Sequence, residues 1–168
     1  AWSSRSVAAP PPARDDHAMA YDARRGEVLL FGGNGNSGLL ADTWVWNGAA
    51  WTQRVVAAPP RTRVGHGMAY DALREEVVMF GGEGSSGLLA DTWVWNGAAW
   101  TQRVADVEPT ARGYYAMAYD AARAEVVLFG GLISSAIVAE TWVWNGSTWT
   151  EREVAAPPAR YYHALAYD

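Results

Sequence analysis

The chain repeats itself, and that repetition limits its fold more than any other feature. The run DTWVWNGAAWTQRV at 42–55 returns at 91–104, and ETWVWNGSTWTEREV follows from Glu140, each copy displaced by 49 residues. A second block lies upstream of each: HAMAYDARRGEVLLFGG from His17, HGMAYDALREEVVMFGG from His66 and YAMAYDAARAEVVLFGG from Tyr115. The chain opens on WSSRSVAAPPPAR, which matches the tail of a repeat, and closes on ARYYHALAYD, which matches the head of one. A tandem unit of this size is one supersecondary element that buries its apolar face against the next copy. Three full repeats with a stub at either end are expected.

Within a repeat the apolar periodicity is that of strands, with no helical stretch. His17–Tyr21 predicts a first strand (a), and Asp22-Ala23-Arg24-Arg25-Gly26 turns it into a second (b), Glu27–Phe31. Gly32-Gly33 ends that strand and opens a long loop to a third (c), Asp42–Trp46. Asn47-Gly48 supplies the positive φ values of a tight hairpin turn before the fourth (d), Ala50–Val55. Four antiparallel strands in about fifty residues make one blade of a propeller.

The order H-x-M-A-Y-D, V-V-x-F-G-G, D-T-W-x-W-N-G and W-T resembles the kelch repeat, over essentially the whole chain. That resemblance implies an all-β propeller with strand a innermost and strand d outermost, and no chemistry by itself. The expected divisions are 1–13 as the end of a preceding blade, 14–62, 63–111 and 112–159 as complete blades, and 160–168 as the first strand of another. The lone outer strand is Trp2–Val7 and the lone inner strand His163–Tyr167. Trp44 and Trp46 share a face. Trp2, Trp51, Trp100 and Trp149, one per repeat, read as blade packing in preference to a sugar-stacking row. Burying one Trp removes roughly 150–250 Å² from water, some 4–6 kcal/mol gross.

Three blades cannot enclose a channel, so the sequence reads either as part of a longer propeller or as a unit that closes with copies of itself through its edge strands. The first residue, Ala1, points to a processed chain or an excised segment. Composition narrows the partners. A net charge of −5 argues against nucleic acid or an anionic membrane, and the absence of Cys removes thiolate chemistry and disulfides. No cofactor is expected. All 13 basic residues are Arg, a coding bias of bacterial type, and a soluble chain, secreted or extracellular, fits the remainder.

Loop length assigns the binding side. The d–a and b–c connections share one side of the disc, with GGNGNSGLLA, GGEGSSGLLA and GGLISSAIVA as their variable loops, while the other side has only compact turns. Arg14, Arg63, Arg112 and Arg160 recur three residues before strand a, and Arg61 stands in one linker only. As a ring of forks they would grip an acidic ligand. As scaffold they would pair with Asp42, Asp91 or Glu140, or with loop carbonyls, and residues present in every copy more often serve the blade. If they bind ligand, Arg63→Ala and Arg112→Ala should leave the melting temperature nearly unchanged. Asn34, Asn36, Glu83, Tyr114, Tyr161 and Tyr162 complete the candidate binding set.

His17, His66 and His163 share a position, taken by Tyr115 in the third repeat. They are weak metal candidates, because repetition alone places them and no carboxylate follows at ligand spacing. Asp22, Asp71, Asp120 and Asp168 read as caps of the Tyr-Asp turn. No catalytic residue is assigned. The function expected is a non-enzymatic module that binds protein or glycan. The alternatives are a self-assembling structural unit, or the scaffold of a larger carbohydrate-active or oxidative enzyme.

Overall fold

A computed structural model describes residue 7 and residues 9–168. The chain is all-β, in four antiparallel sheets of which none closes into a ring. The first four-stranded sheet runs β2 (Ala18–Asp22), β3 (Glu27–Phe31), β6 (Thr43–Trp46) and β7 (Trp51–Arg54). The second runs β8 (Gly67–Asp71), β9 (Glu76–Gly84), β10 (Gly87–Trp95) and β11 (Trp100–Arg103). The third runs β12 (Ala116–Asp120), β13 (Glu125–Phe129), β14 (Thr141–Trp144) and β15 (Trp149–Arg152). A small sheet joins β1 (Arg14–Asp15), β4 (Asn34–Gly35) and β5 (Gly38–Leu39).

Each four-stranded sheet is a meander because its turns are built from local side chains. Asp71 Oδ1 accepts the N–H groups of Leu73 and Arg74 at 3.0 and 3.1 Å, and Asp120 does the same for Ala122 and Arg123. The Asn-Gly turn differs from expectation. It is a four-residue loop closed by Trp46 opposite Trp51, and only Gly48 has positive φ. Asn47 acts through its side chain, whose Oδ1 accepts from Ala49 and Ala50 at 2.9 Å.

Two further expectations are corrected. The connection from b to c is mostly not loop: in the second repeat β9 and β10 run on through Gly84 and Gly87, and in the first β4 and β5 form the same hairpin. Main-chain groups that leave the blade find partners in each other, so the ladder continues. The expected inner strand His163–Tyr167 forms no ladder, since no neighbouring strand pairs with it. The expected outer strand Trp2–Val7 lies outside the described residues, Val7 excepted.

Packing between sheets uses the repeated aromatics. Phe31, Leu29 and Val45 of the first sheet meet Met68, Val77, Met79, Trp95 and Trp100 of the second. Val78, Phe80 and Val94 of the second meet Val126, Leu128, Trp144 and Trp149 of the third. The d-strand Trp also bonds backwards: Trp100 Nε1 donates to Thr43 Oγ1 at 3.0 Å and Trp149 Nε1 to Thr92 Oγ1 at 2.9 Å. A buried indole N–H thus has its partner in the neighbouring sheet, which fixes register as well as contact.

Candidate ligand-binding face

The linker before each innermost strand and the b–c hairpin of the same repeat lie side by side. Arg14 and Asp15 pair with Gly35 and Asn34, Val64 bridges Glu83, and Gly113 bridges Leu132. Repeats are then tied to one another near the inner strands. Gly65 N–H donates to Asp16 C=O at 3.0 Å, Tyr114 N–H to Gly65 C=O at 2.7 Å and Tyr162 N–H to Tyr114 C=O at 2.8 Å. These equivalent positions all hold positive φ: Asp16 at 48°, Gly65 at 60°, Tyr114 at 60° and Tyr162 at 54°. A left-handed tyrosine is strained by about 1–3 kcal/mol and persists only where its surroundings over-determine it. The relay does that, and it fixes where these side chains stand.

Constant and variable positions separate cleanly. Arg63 is fully buried: it makes a fork to Asp91 at 2.7 and 2.8 Å and donates to the carbonyls of Gly81 at 2.8 Å and Arg61 at 3.2 Å. Arg14 engages Asp42, Gly32 C=O and Pro12 C=O in the same way. Arg112, also fully buried, engages Glu140, Gly130 C=O and Thr110 C=O. Burial alone would raise the carboxyl pKa of Asp91, but the bonds and charge of Arg63 outweigh it and hold that pKa below the ordinary value; Asp42 and Glu140 are lowered likewise by their arginines. Arg160 is exposed and donates to Pro158 C=O. Arg61 is exposed too and borders a hollow with Leu89, Ala90, Asp91, Trp93 and Gln102.

At the histidine position the ring packs on a phenylalanine in three of the four copies. His66 packs edge-on against Phe31 of the preceding sheet at 5.8 Å, and His163 against Phe129 at 5.5 Å. Tyr115 takes the same seat on Phe80, where its hydroxyl donates to Phe80 C=O and accepts from Gly67 N–H at 2.9 Å. Among the described residues no group of three His, Asp or Glu is placed to hold a metal ion.

Both ring nitrogens of His66 are buried without a hydrogen-bond partner. Burial, then the charge of Arg63, lowers its pKa from 6.5 to about 3. The folded value lies below the unfolded one, so the unfolded chain takes up the proton first as pH falls. The contribution of neutral His66 is therefore present above 6.5 and lost from there down towards about 3. His66→Phe keeps an aromatic ring on Phe31 and should flatten this part of the pH profile. Urea midpoints at about pH 7 and pH 4.5 check it: an equal fall in variant and wild type would rule the histidine out.

What remains turned to solvent where the linkers meet the b–c hairpins, the mouth of this face, is the variable set. Asn34 and Asn36 edge one hollow with Ala13, Arg14, Asp15 and Gly35. Asn34, Glu83, Tyr114 and Asp16 line an adjoining hollow of about 300 Å³, floored by Leu39, Val64 and Gly84. Tyr114 lies 4.6 Å from Tyr162, which in turn lies 5.1 Å from Tyr161, and its hydroxyl reaches Glu83 at 3.3 Å. Asp15 and Asp16 are additions that sequence reasoning missed. The signal was present, because Asp16 occupies the position held by Gly65, Tyr114 and Tyr162 in the other copies.

A family profile described as the KLHDC2/KLHL20/DRC7 Kelch-repeats domain matches residues 1–167. The chain belongs to the kelch-repeat family. No curated protein matches it. The kelch assignment agrees with the double glycines, the spaced Trp and the meander sheets, and with an unclosed propeller arrangement. Kelch-repeat architecture is generally associated with binding surfaces on non-catalytic scaffolds. Among the described residues no helix is long and apolar enough to cross a membrane.

Proposed function

We propose that this kelch chain is a non-enzymatic module that binds a protein segment on its loop-rich side, with the three four-stranded sheets acting as propeller blades. One observation carries the reading. Positions that touch the blade interior are nearly constant between copies, whereas those facing the mouth vary: Asp16, Gly65 and then Tyr114 and Tyr162 on the linkers, and Asn34, Glu83 and Leu132 on the hairpins. A scaffold requirement would repeat with the scaffold. Variation between copies of one frame gives a surface with a single orientation, as selective recognition requires. The tyrosines add large contact area at low conformational cost.

A random peptide library displayed against the immobilised protein tests this. Peptides should be enriched that lose binding to the Asn34→Lys variant and retain it with Arg24→Ala, an exposed position on the opposite side. Enriched peptides indifferent to Asn34→Lys would place binding elsewhere, and sugars eluting the protein where peptides fail would turn the reading towards glycans.

A second reading is favoured by one residue. Thr43 and Thr92 are sealed beneath Trp100 and Trp149, whereas the equivalent Thr141 is only half-buried and has no indole above it among the described residues. The matching face of a second copy, with Trp51, would cover it in head-to-tail association. Light scattering at increasing concentration should show species above 18.2 kDa that Thr141→Arg removes. A monomer throughout would end this reading.

A further inference from the structure

We infer that the mouth hollow recognises a cationic side chain, an arginine guanidinium in preference to a lysine ammonium, on its protein partner. The inference rests on the proposed binding role and adds the class of ligand. The constant arginines suggest the opposite, an acidic ligand, until their partners are counted. Arg14, Arg63 and Arg112 each have an acid and main-chain carbonyls within their own repeat, and two of the three are fully buried. Such pairs carry no free charge to the surface.

The carboxylates at the mouth are in the reverse condition. Asp15 and Asp16 are exposed, Glu83 is half-buried, and none belongs to an ion pair among the described residues. Asp16 and Glu83 come from different repeats and share the hollow with Tyr114. Burial raises the Tyr114 hydroxyl pKa, and the nearby Tyr162, Glu83 and Asp16 raise it further, so both acids act on the same ring. Tyr162, 65% exposed and packed at a tilt against Tyr114, offers an open aromatic face beside them.

A guanidinium suits this combination. Its plane stacks on a tyrosine face while its N–H fork reaches carboxylates, and it sheds water more readily than an ammonium. The hollow of about 300 Å³ admits one long side chain. The relay of main-chain bonds through Asp16, Gly65, Tyr114 and Tyr162 holds the groups in place before a ligand arrives, which lowers the ordering cost of binding.

Fluorescence polarisation with three labelled heptapeptides tests the inference. They share a glycine–serine frame and carry two arginines, two lysines or two aspartates. The arginine peptide should bind at least about tenfold tighter than the aspartate peptide and measurably tighter than the lysine peptide. Glu83→Gln with Asp16→Asn should weaken it about tenfold, and Tyr162→Asn, which tolerates the left-handed backbone, about threefold. Glu75→Gln, an acid on the opposite side, should change nothing, and the melting temperature of each variant confirms its fold. An aspartate peptide that binds as well, or a loss with Glu75→Gln equal to that at the mouth, overturns the inference; lysine binding equal to arginine overturns the stacking part. Acidic or neutral peptides enriched from the library on the loop-rich side would sink the ligand class and leave the binding role standing.

Discussion

Gly82→Ala is expected to destabilise the fold by more than about 4 kcal/mol. The residue has φ +92°, and a Cβ there would lie 2.6 Å from Val64 C=O and 2.8 Å from His66 Cβ. Neither neighbour is the free end of a flexible side chain. The same residue donates its N–H to Arg112 C=O at 2.8 Å, so any shift that relieves the clash loosens the tie to the next repeat. Backbone strain costs about 1–2 kcal/mol, and the forced separation of packed main chain carries the total into the range above about 4 kcal/mol. That is a large part of the 5–15 kcal/mol typical of a whole domain. Gly87→Ala is the control, with φ +114° and nothing within 4 Å of its Cβ, so it bears the conformational cost alone. Thermal melts by circular dichroism compare the two. Equal midpoints would mean that close approach at Gly82 is not what the second glycine serves.

The same tie recurs along the chain. Gly33 N–H donates to Arg63 C=O at 2.9 Å and Gly131 N–H to Arg160 C=O at 2.9 Å, so each double glycine receives the linker of the following repeat. This explains why the pair was legible in sequence as an invariant of the repeat, although its purpose was not. A reading confined to one repeat sees a strand end. The carbonyl that accepts the second glycine's N–H lies about thirty positions later, while the atoms that exclude a side chain, Val64 C=O and His66 Cβ for Gly82, lie upstream on the linker of its own repeat.

The same limit separates what else was readable. Strand order and the meander follow from local alternation and turn residues; β3, β6 and β7 fall within the segments expected, and β2 runs one residue further, to Asp22. The b–c connections looked like loop because glycine and serine dominate them, yet main-chain groups paired across β9 and β10 need no apolar side chains to form a ladder. Asn47 was expected to contribute a left-handed backbone and contributes a side-chain acceptor instead. At the mouth, Tyr114 and Glu83 were both named, but the sign of the local charge was not readable. It depends on which arginines are already paired, at a separation of 28 residues that only the placed hairpin brings within reach.

That pairing gives the second large effect. Arg63→Ala is expected to cost about 3–5 kcal/mol, because it leaves Asp91 in a mostly buried site without its counter-charge and strips the carbonyls of Gly81 and Arg61 of a donor. At about 2–4 °C per kcal/mol for a chain of this size, the melting temperature should fall by about 6–20 °C. Arg160→Ala removes the equivalent side chain where it is exposed and has no acid partner among the described residues, and should shift it by little. Removing Asp91 as well should restore part of the loss, since the uncompensated charge goes with it. The pH dependence has a definite sign. The folded pKa of Asp91 is depressed, so the contribution of the pair is full above the ordinary carboxylate value of 3.8 and disappears as pH falls through the folded one. The gap between wild type and Arg63→Ala should therefore narrow in acid. An Arg63→Ala protein that melts with wild type at neutral pH would show that this guanidinium is not needed by the blade, and would return it to the ligand.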